Sequence, residues 1–181
     1  MTTILLVRHG ETDWNLHRRV QGQSDTPLNE TGREQARALA QELAGEALDA
    51  VYSSDLVRAH ETARIVAAEQ GLEVTAIRDL RERHFGTWEG LTDQEIFARF
   101  PQAAEGGSWG DAETKEEMAQ RVLDALQRIA AAHPGGHVLV VSHGGPLRSV
   151  LTHCGVDGAG RIDNCHVVRI EVDGRVVRGI D

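Results

Sequence analysis

The sequence lacks the features that mark several large classes of protein. It has only two cysteines in 181 residues, Cys154 and Cys165, and their spacing fits neither a metal-binding pair nor a redox pair. Two cysteines do not make a disulfide scaffold, so we expect a reduced, cytoplasmic protein. No lysine- or arginine-rich run is present and the net charge is −9. Neither a nucleic-acid partner nor an anionic membrane surface is therefore expected.

Long apolar runs and metal-ligand patterns are missing as well. The first apolar run, residues 4–7, ends at Arg8, far short of a signal peptide or a membrane span. No histidine pair lies at i, i+4 spacing within a predicted helix, so no metal and no other cofactor is expected. Without repeats, low-complexity tracts or a linker, residues 1–181 are predicted to form a single domain.

What the sequence does contain is an alternation of short apolar strands and helical segments. The predicted strands cover residues 4–7, 49–52, 74–77 and 138–142, with a hairpin of 167–172 and 176–180 around Asp173-Gly174. The predicted helices cover residues 31–45, 56–70, 93–100, 114–133 and 146–154. Strands that alternate with helices predict an α/β sheet with helices on both faces.

Side-chain caps are predicted at three of the helix starts. Thr31 and Thr114 are each followed three residues later by a glutamate, which is the spacing of a capping box. Ser53, Ser54 or Asp55 is expected to cap the helix that carries Arg58.

Two of the predicted strands end in the same way. The first is followed by Arg8, His9 and Gly10, and the fourth by His143 and two glycines. A lone Arg-His pair is more often a buried histidine beside a solvated arginine, but packing alone does not explain two such ends. Open α/β sheets bind ligands outside the carboxyl ends of their strands. These residues predict an anion site with a nucleophile or general base, where Gly10 allows a sharp turn or a close approach to the ligand.

The sequence around these strand ends resembles the histidine phosphatase superfamily, the phosphoglycerate-mutase-like proteins. Four blocks match in the family's order: Val7-Arg8-His9-Gly10-Glu11-Thr12 with Trp14-Asn15 and Gln21-Gly22; Ser53-Ser54-Asp55-Leu56 with Arg58-Ala59; Glu82 with Phe85-Gly86 and Trp88-Glu89-Gly90; and Ser142-His143-Gly144-Gly145. The resemblance implies a three-layer α/β/α fold with a mostly parallel central sheet. In that fold the two histidine-bearing strands are neighbours and one antiparallel strand lies towards the edge.

The resemblance also implies a catalytic site for phosphoryl transfer. His9 would be the nucleophile and form a phosphohistidine, while Arg8 and Arg58 would bind phosphate oxygens as forked donors. His143 would donate a hydrogen bond to a non-bridging oxygen as charge develops. Glu82 would protonate the leaving group and then activate the water that cleaves the phosphohistidine.

Further residues are expected to bind the phosphate, and two of the catalytic assignments have alternatives. Asn15 fits a neutral phosphate donor, and the substrate-binding set also includes Gln21, Gly22 and Gly144. Arg58 could instead be a surface residue paired with Glu61 or Glu34. Glu82 could be one member of a solvated charge cluster.

The expected function is hydrolysis of a small phosphorylated metabolite by a metal-independent phosphoric monoester hydrolase. Residues 101–120 hold five acids against one base, Lys115, which is a poor lining for a bisphosphorylated, carboxylated substrate. Gly145 stands where the mutases carry asparagine. A bisphosphoglycerate-dependent phosphoglycerate mutase remains the alternative, because Glu82-Arg83-His84 resembles the mutases.

A non-catalytic phosphate-binding protein is a third candidate, which the loss of His9, His143 or Glu82 would mark. The sequence leaves open which phosphomonoester is bound. It also leaves open the oligomeric state, with a homodimer as one candidate.

Overall fold

The computed structural model describes residues 1–102, 111–156, 158, 160–174 and 176–180 of the chain. The strands are β1 (Thr2–Arg8), β2 (Ala50–Ser53), β3 (Val74–Ala76), β4 (His137–Ser142), β5 (Val167–Asp173) and β6 (Val176–Ile180). The helices are α1 (Asp13–Leu16), α2 (Glu30–Glu42), α3 (Val57–Glu69), α4 (Asp93–Arg99), α5 (Lys115–Ala132) and α6 (Gly144–His153). No helix in these ranges is long and apolar enough to cross a bilayer.

The strands form one sheet in the order β3-β2-β4-β1-β5-β6. β5 runs antiparallel to both of its neighbours, and the pairings among β3, β2, β4 and β1 are parallel. The predicted mostly parallel sheet, with one antiparallel strand towards the edge, is confirmed. β1 and β4 are neighbours, with Arg8 opposite Ser142. This register brings the two histidines that follow these strands to the same edge of the sheet.

Helices cover both faces of the sheet, which confirms the three-layer α/β/α architecture. On one face Ile4 and Leu6 of β1 pack with apolar side chains of α5 and α6. On the other face Leu5 and Val7 pack with side chains of α2 and α3. All four side chains are fully buried. Burial on both faces explains why the strand is a continuous apolar run rather than an alternating one.

The predicted caps are right for one helix and wrong for two. Thr114 caps α5 in a capping box with Glu117, as expected. α2 is capped by Asn29 rather than Thr31, because the Asn29 side chain accepts the Gly32 amide. α3 begins after Leu56, which provides no side-chain cap. The cap of α2 is thus a local one placed two residues earlier than predicted, whereas at α3 the amide of Val57 donates to the carboxylate of Asp25, which is distant in the chain.

Candidate active site

The carboxyl ends of β1 and β4 open into a cleft of about 530 Å³, called here the strand-edge cleft. Its lining consists of Arg8, His9, Trp14, Asn15, Arg18, Arg19, Val20, Gln21, Gly22, Arg58, Glu82, Phe85, Asp93, Gly144, Arg148 and Arg161. Every site residue predicted from the sequence lines this cleft, with the exception of His143. His143 is fully buried directly behind it, with its ring centroid 5.1 Å from that of His9.

The His9 ring is held in one orientation by the backbone. Its Nδ1 lies 2.6 Å from the carbonyl oxygen of Gly10, so Nδ1–H donates and Nε2 keeps its lone pair. The side chain is 3% exposed. Burial, and then the positive charges of Arg58 and Arg8, hold the pKa of His9 well below its ordinary value. His9 is therefore a neutral imidazole with a free nucleophilic nitrogen.

Gly10 lies against the backbone of a helix, a contact that was not expected from the sequence. A Cβ atom at this position would overlap the carbonyl oxygen of Gly32 in α2. A glycine is therefore required here by a close approach between two backbone segments. It brings the first turn of α2 directly against the residue whose carbonyl orients His9.

The His143 ring is also buried, but unlike the His9 ring it is not held by a hydrogen bond from the described residues. It precedes α6 as the N-cap residue, and neither of its ring nitrogens has a hydrogen-bond partner among the described residues. Burial is the main reason that its pKa is held well below the ordinary value, and the charges of Arg58 and Arg8 and the His9 ring lower it further. A buried ring with free nitrogens can donate to a group that enters the site.

Arg58 and Arg8 carry buried positive charge, and no carboxylate of the described residues forms an ion pair with either of them. Arg58 is fully buried and donates to the carbonyl oxygens of Gly22 and Ser24, each at 2.7 Å. Arg8 donates to the carbonyl of Ile162. The Nε atoms of both arginines are buried without a partner in the described part of the protein. Burial is the main cause that lowers each pKa to about 10, which leaves both side chains charged at neutral pH.

The alternative reading of Arg58 as a surface ion pair is wrong. Its side chain is fully buried, whereas Glu61 lies 2.8 Å from Nε of Arg33.

Asn15 and Gln21 are oriented so that their amide NH2 groups remain available. The Oδ1 atom of Asn15 accepts from the Thr12 amide, and from Nδ2 of Asn164 at 3.4 Å. The Oε1 atom of Gln21 accepts from the hydroxyls of Thr12 and Thr26. Both oxygens are engaged by the protein, and the nitrogens have no hydrogen-bond partner in the part of the chain that the structure describes, which suits the binding of an anion.

The two binding-site glycines shape the cleft through their backbone. Gly22 has φ +51°, and a Cβ atom there would overlap the carboxylate of Glu89. That carboxylate accepts from the Gln23 amide and the Ser24 hydroxyl, which fixes the segment whose carbonyls bind Arg58. Gly144 is the first residue of α6. The positive end of the ten-residue helix dipole therefore faces the cleft.

The carboxylate of Glu82 is held by two backbone amides. The amide of Arg83 donates to Oε1 at 2.8 Å, and the amide of Gly145 donates to Oε2 at 3.0 Å. A Cβ atom at position 145 would overlap Oε1. Glycine at 145 therefore lets the Glu82 carboxylate lie against the first turn of α6, and any side chain there would displace it.

Comparison with known proteins identifies the family. The sequence model of the histidine phosphatase superfamily, branch 1, matches residues 4–178. The chain belongs to this superfamily. It is 46% identical to phosphoglycerate mutase-like protein 4 of Arabidopsis thaliana over 81% of this chain and 68% of that protein. It is 42% identical to the metal-independent phosphoserine phosphatase of the same plant over 92% of this chain and 75% of that protein.

A solved structure shows the same fold. YhfR of Bacillus stearothermophilus superposes with a TM-score of 0.91 at 35% identity, covering 99% of this chain and 95% of that one. The superfamily assignment therefore rests on the whole fold as well as on the sequence.

Two residues at this site, Arg121 and Arg148, were missed by sequence reasoning. Arg121 of α5 donates to the carbonyls of Asp79, Arg81 and Glu82, and so shapes the segment that carries Glu82. No sequence signal marks it, because its partners lie about forty positions away in the chain. Arg148 could have been predicted, because it follows Gly144 by four residues and i, i+4 positions share one face of a helix. The two residues therefore face the same cleft.

The described acids of residues 101–120 do not line the strand-edge cleft, as the sequence argument assumed they would. Glu113 pairs with Arg121 at 2.6 Å, and Glu117 belongs to the cap of α5. Among the described acids of this segment, Glu116 alone reaches a neighbouring cavity, and Glu105 lies outside the described residues. In the ranges that the structure covers, no group of three or more histidine, cysteine, aspartate or glutamate side chains is arranged to hold a metal ion.

Proposed function

We propose that the protein is a phosphatase that hydrolyses small-molecule phosphomonoesters through a phosphohistidine on His9. The observation that carries this proposal is the state of His9. It is a buried, neutral imidazole whose Nδ1–H is engaged by a carbonyl, and two buried arginines lie beside it. A free Nε2 lone pair in a positively charged pocket suits attack on a phosphate.

The first chemical step transfers the phosphoryl group to the enzyme. Nε2 of His9 forms a bond to phosphorus while the bond from phosphorus to the ester oxygen breaks. Glu82, in its carboxylic acid form, gives its proton to that oxygen, and the alcohol leaves. Arg8, Arg58 and His143 donate hydrogen bonds to the equatorial oxygens, where charge accumulates in the transition state.

The second step returns the enzyme to its starting state. Glu82, now a carboxylate, takes a proton from water, and the resulting hydroxide forms a bond to phosphorus while the N–P bond breaks. Inorganic phosphate leaves, and Glu82 is again a carboxylic acid. Arg8, Arg58 and His143 serve the same equatorial oxygens in both steps.

The mutase alternative is weakened by Gly145 and supported by the relative that is named phosphoglycerate mutase-like. Asparagine at 145 would displace Glu82 from the two amides that hold it. The Glu82 carboxylate is therefore held by a contact that a side chain at 145 would remove, which supports the phosphatase over the mutase. A cytoplasmic location, a single domain and a homodimeric state stay predictions.

The test is to trap the intermediate. The protein is mixed with a radiolabelled phosphomonoester and quenched within milliseconds. We expect label on the protein that is lost in acid and kept in base, and we expect none in His9→Ala. Label that persists in His9→Ala would overturn the assignment of the nucleophile.

Two parallel measurements complete this test. Bisphosphoglycerate-dependent mutase activity, measured on the same sample, should be far below the phosphatase activity; the reverse ratio would establish the mutase. Turnover should be unchanged after treatment with EDTA, and a strong loss would show that a metal takes part.

A further inference from the structure

Glu89 is a largely buried carboxylate that does not line the strand-edge cleft. Its side chain is 12% exposed, and it directly follows the short 3₁₀ helix Gly86–Trp88. The backbone beside it is tied to another segment, because the Gly90 amide donates to the carbonyl of Val20 at 2.8 Å and the Val20 amide donates to the carbonyl of Leu91 at 2.9 Å. The backbone from which this carboxylate extends is therefore fixed independently of the contacts of the carboxylate itself.

The first contacts of the Glu89 carboxylate are with the segment that binds Arg58. Oε1 accepts the Gln23 amide at 3.0 Å, and Oε2 accepts the Ser24 hydroxyl at 2.6 Å. The carbonyls of Gly22 and Ser24 in the same segment each accept from Arg58 at 2.7 Å. Glu89 thus holds in place the two acceptors that orient the buried guanidinium.

The second contacts of this carboxylate are with the segment that follows Glu82. Oε1 of Glu89 accepts the Phe85 amide at 3.0 Å and lies 3.2 Å from Nδ1 of His84. The amide of Arg83, the residue between Glu82 and His84, donates to the carboxylate of Glu82. Because that amide belongs to the backbone that Glu89 fixes, the direction of the Glu82 carboxylate depends on Glu89.

One carboxylate therefore connects two segments that carry different parts of the site. Hydrogen bonds to an ionised carboxylate are roughly twice as strong as those between neutral groups. Glu89 is also largely removed from the water that would compete for these bonds. A neutral contact runs parallel to it, since Nε2 of Gln23 donates to the carbonyl of Glu82 at 3.1 Å. We therefore expect the two segments to keep one fixed separation.

We propose that Glu89 is a positioning residue for two groups of the active site, Arg58 and Glu82. It holds the carbonyls that orient the phosphate-binding guanidinium, and it holds the backbone from which the proton donor extends. It touches neither the phosphate nor the leaving oxygen, so it acts only through these two groups. This inference rests on the proposed function, and it adds a residue outside the cleft on which both phosphate binding and protonation of the leaving group depend.

Two measurements distinguish positioning from a general contribution to folding. The first is the Kd of inorganic phosphate, measured by calorimetry, which reports on Arg58. The second is the ratio of kcat/KM for p-nitrophenyl phosphate to kcat/KM for propyl phosphate. It reports on proton donation by Glu82, because only the alkoxide needs the proton. Neither quantity changes when part of a sample is unfolded, since each refers to the folded molecules alone.

Glu89→Ala removes both sets of contacts. We expect it to raise the Kd of phosphate about 10-fold and the substrate ratio about 10-fold. Glu89→Gln keeps the shape and one acceptor oxygen, so it should raise each value only about 3-fold, and it decides the test if Glu89→Ala does not fold. A change in one value alone would contradict the double role, and no change in either would leave Glu89 without a positioning role.

Two further variants serve as controls. Ser24→Ala removes only the donor to Oε2 of Glu89, so it should raise the Kd of phosphate about 3-fold and leave the substrate ratio unchanged.

The matched control is Glu46→Gln, which should change neither value. Glu46 is a carboxylate, 26% exposed, that also joins separate elements, because it pairs with Arg169 of β5 and lies 3.5 Å from Nδ1 of His137. His137 is the first residue of β4, at the opposite end of that strand from the site. Changes in Glu46→Gln as large as those in Glu89→Ala would show that the loss of any such carboxylate loosens the site, and would contradict a specific role for Glu89.

The outcomes also separate this inference from the proposed function. If the wild-type protein hydrolyses both esters and Glu89→Ala leaves both values unchanged, this inference fails and the phosphatase stands. If the wild-type protein hydrolyses neither ester, the phosphatase fails and the phosphate affinities decide. A weaker affinity in Glu89→Ala then supports the role of Glu89 towards Arg58, and an unchanged affinity overturns it.

Discussion

The two strand ends that meet at the site hold their histidines in opposite ways. After β1, the Nδ1–H of His9 donates to the Gly10 carbonyl, and the His9 carbonyl accepts from Asn164 at 2.8 Å. After β4, the His143 ring has no hydrogen-bond partner among the described residues. Both rings are buried, and the pKa of each lies well below the ordinary value.

This difference teaches how one residue type can serve two roles at one sheet edge. A ring whose Nδ1–H is engaged has a single tautomer, and it presents a lone pair at Nε2 for attack. A ring with free nitrogens can place its one N–H where a phosphate oxygen needs a donor. The strand ends share the His-Gly pattern, and the partners of the rings distinguish them.

The largest expected effect comes from making the same substitution at both strand ends. Glutamine has an amide donor but no nucleophilic nitrogen. His9→Gln should therefore lower kcat by about 10⁴-fold or more and abolish the phosphoprotein. His143→Gln should retain part of the hydrogen bonding and lower kcat/KM by only about 10- to 100-fold. Rapid-quench and steady-state kinetics measure both.

Similar losses in the two variants would break the comparison, because they would mean that both rings act in the same way. His143→Ala supplies the control, since it removes the donor without a substitute. It should cost more than His143→Gln, on the order of 10²- to 10³-fold.

A smaller effect on turnover, which depends on the leaving group, is expected from substituting Glu82, whose carboxylate accepts the Gly145 amide. Glu82→Gln cannot donate a carboxylic proton. Alkyl phosphates need that proton, whereas p-nitrophenolate leaves without it. With p-nitrophenyl phosphate the variant should show a burst near one product per site and then slow turnover, because no base activates water. Equal losses with both leaving groups and no burst would assign Glu82 a positioning role.

Gly145→Ala tests the position of the Glu82 carboxylate, whereas Glu82→Gln tests its chemistry. The added Cβ overlaps Oε1 of Glu82, so it displaces the carboxylate without removing it. It should reproduce the dependence on the leaving group in a weaker form, with a loss of roughly 10-fold for alkyl phosphates. Turnover that does not depend on the leaving group would show that the contact at 145 is unimportant for Glu82.

The smallest expected effect concerns stability, and it tests whether both rings stay neutral in the folded protein. Each histidine has its pKa lowered well below 6.5. Below that pH the unfolded chain binds protons that the folded protein does not, so stability is lost as the pH falls through 6.5. Each ring contributes at most about 1.4 kcal/mol per pH unit to the free energy of unfolding.

Urea unfolding between about pH 7.5 and pH 5 measures this slope. In His143→Gln one of the two titrating groups is gone, so the slope over this window should be smaller than in the wild-type protein. An unchanged slope would mean that His143 takes up its proton in the folded state as it does in the unfolded chain.

Much of the fold and of the site could be predicted from the sequence because the signals are local. Apolar runs such as residues 4–7 and 138–142 specify buried strands, and Thr114 with Glu117 specifies a helix start. His9 and His143 stand at the ends of two such runs, so their meeting at one edge follows from parallel pairing.

The sequence by itself therefore determined the α/β class, the strand ends and the two histidines that follow them. Only the tertiary structure decided what each of them contacts, because the deciding partners are distant in the chain or belong to the backbone. Gly10 lies against the carbonyl of Gly32, and the amide of Gly145 binds the Glu82 carboxylate across sixty-three positions of the chain. Arg121 shapes the Glu82 segment from α5. Such contacts have no local pattern, because they form only when packing of the core brings separate elements together.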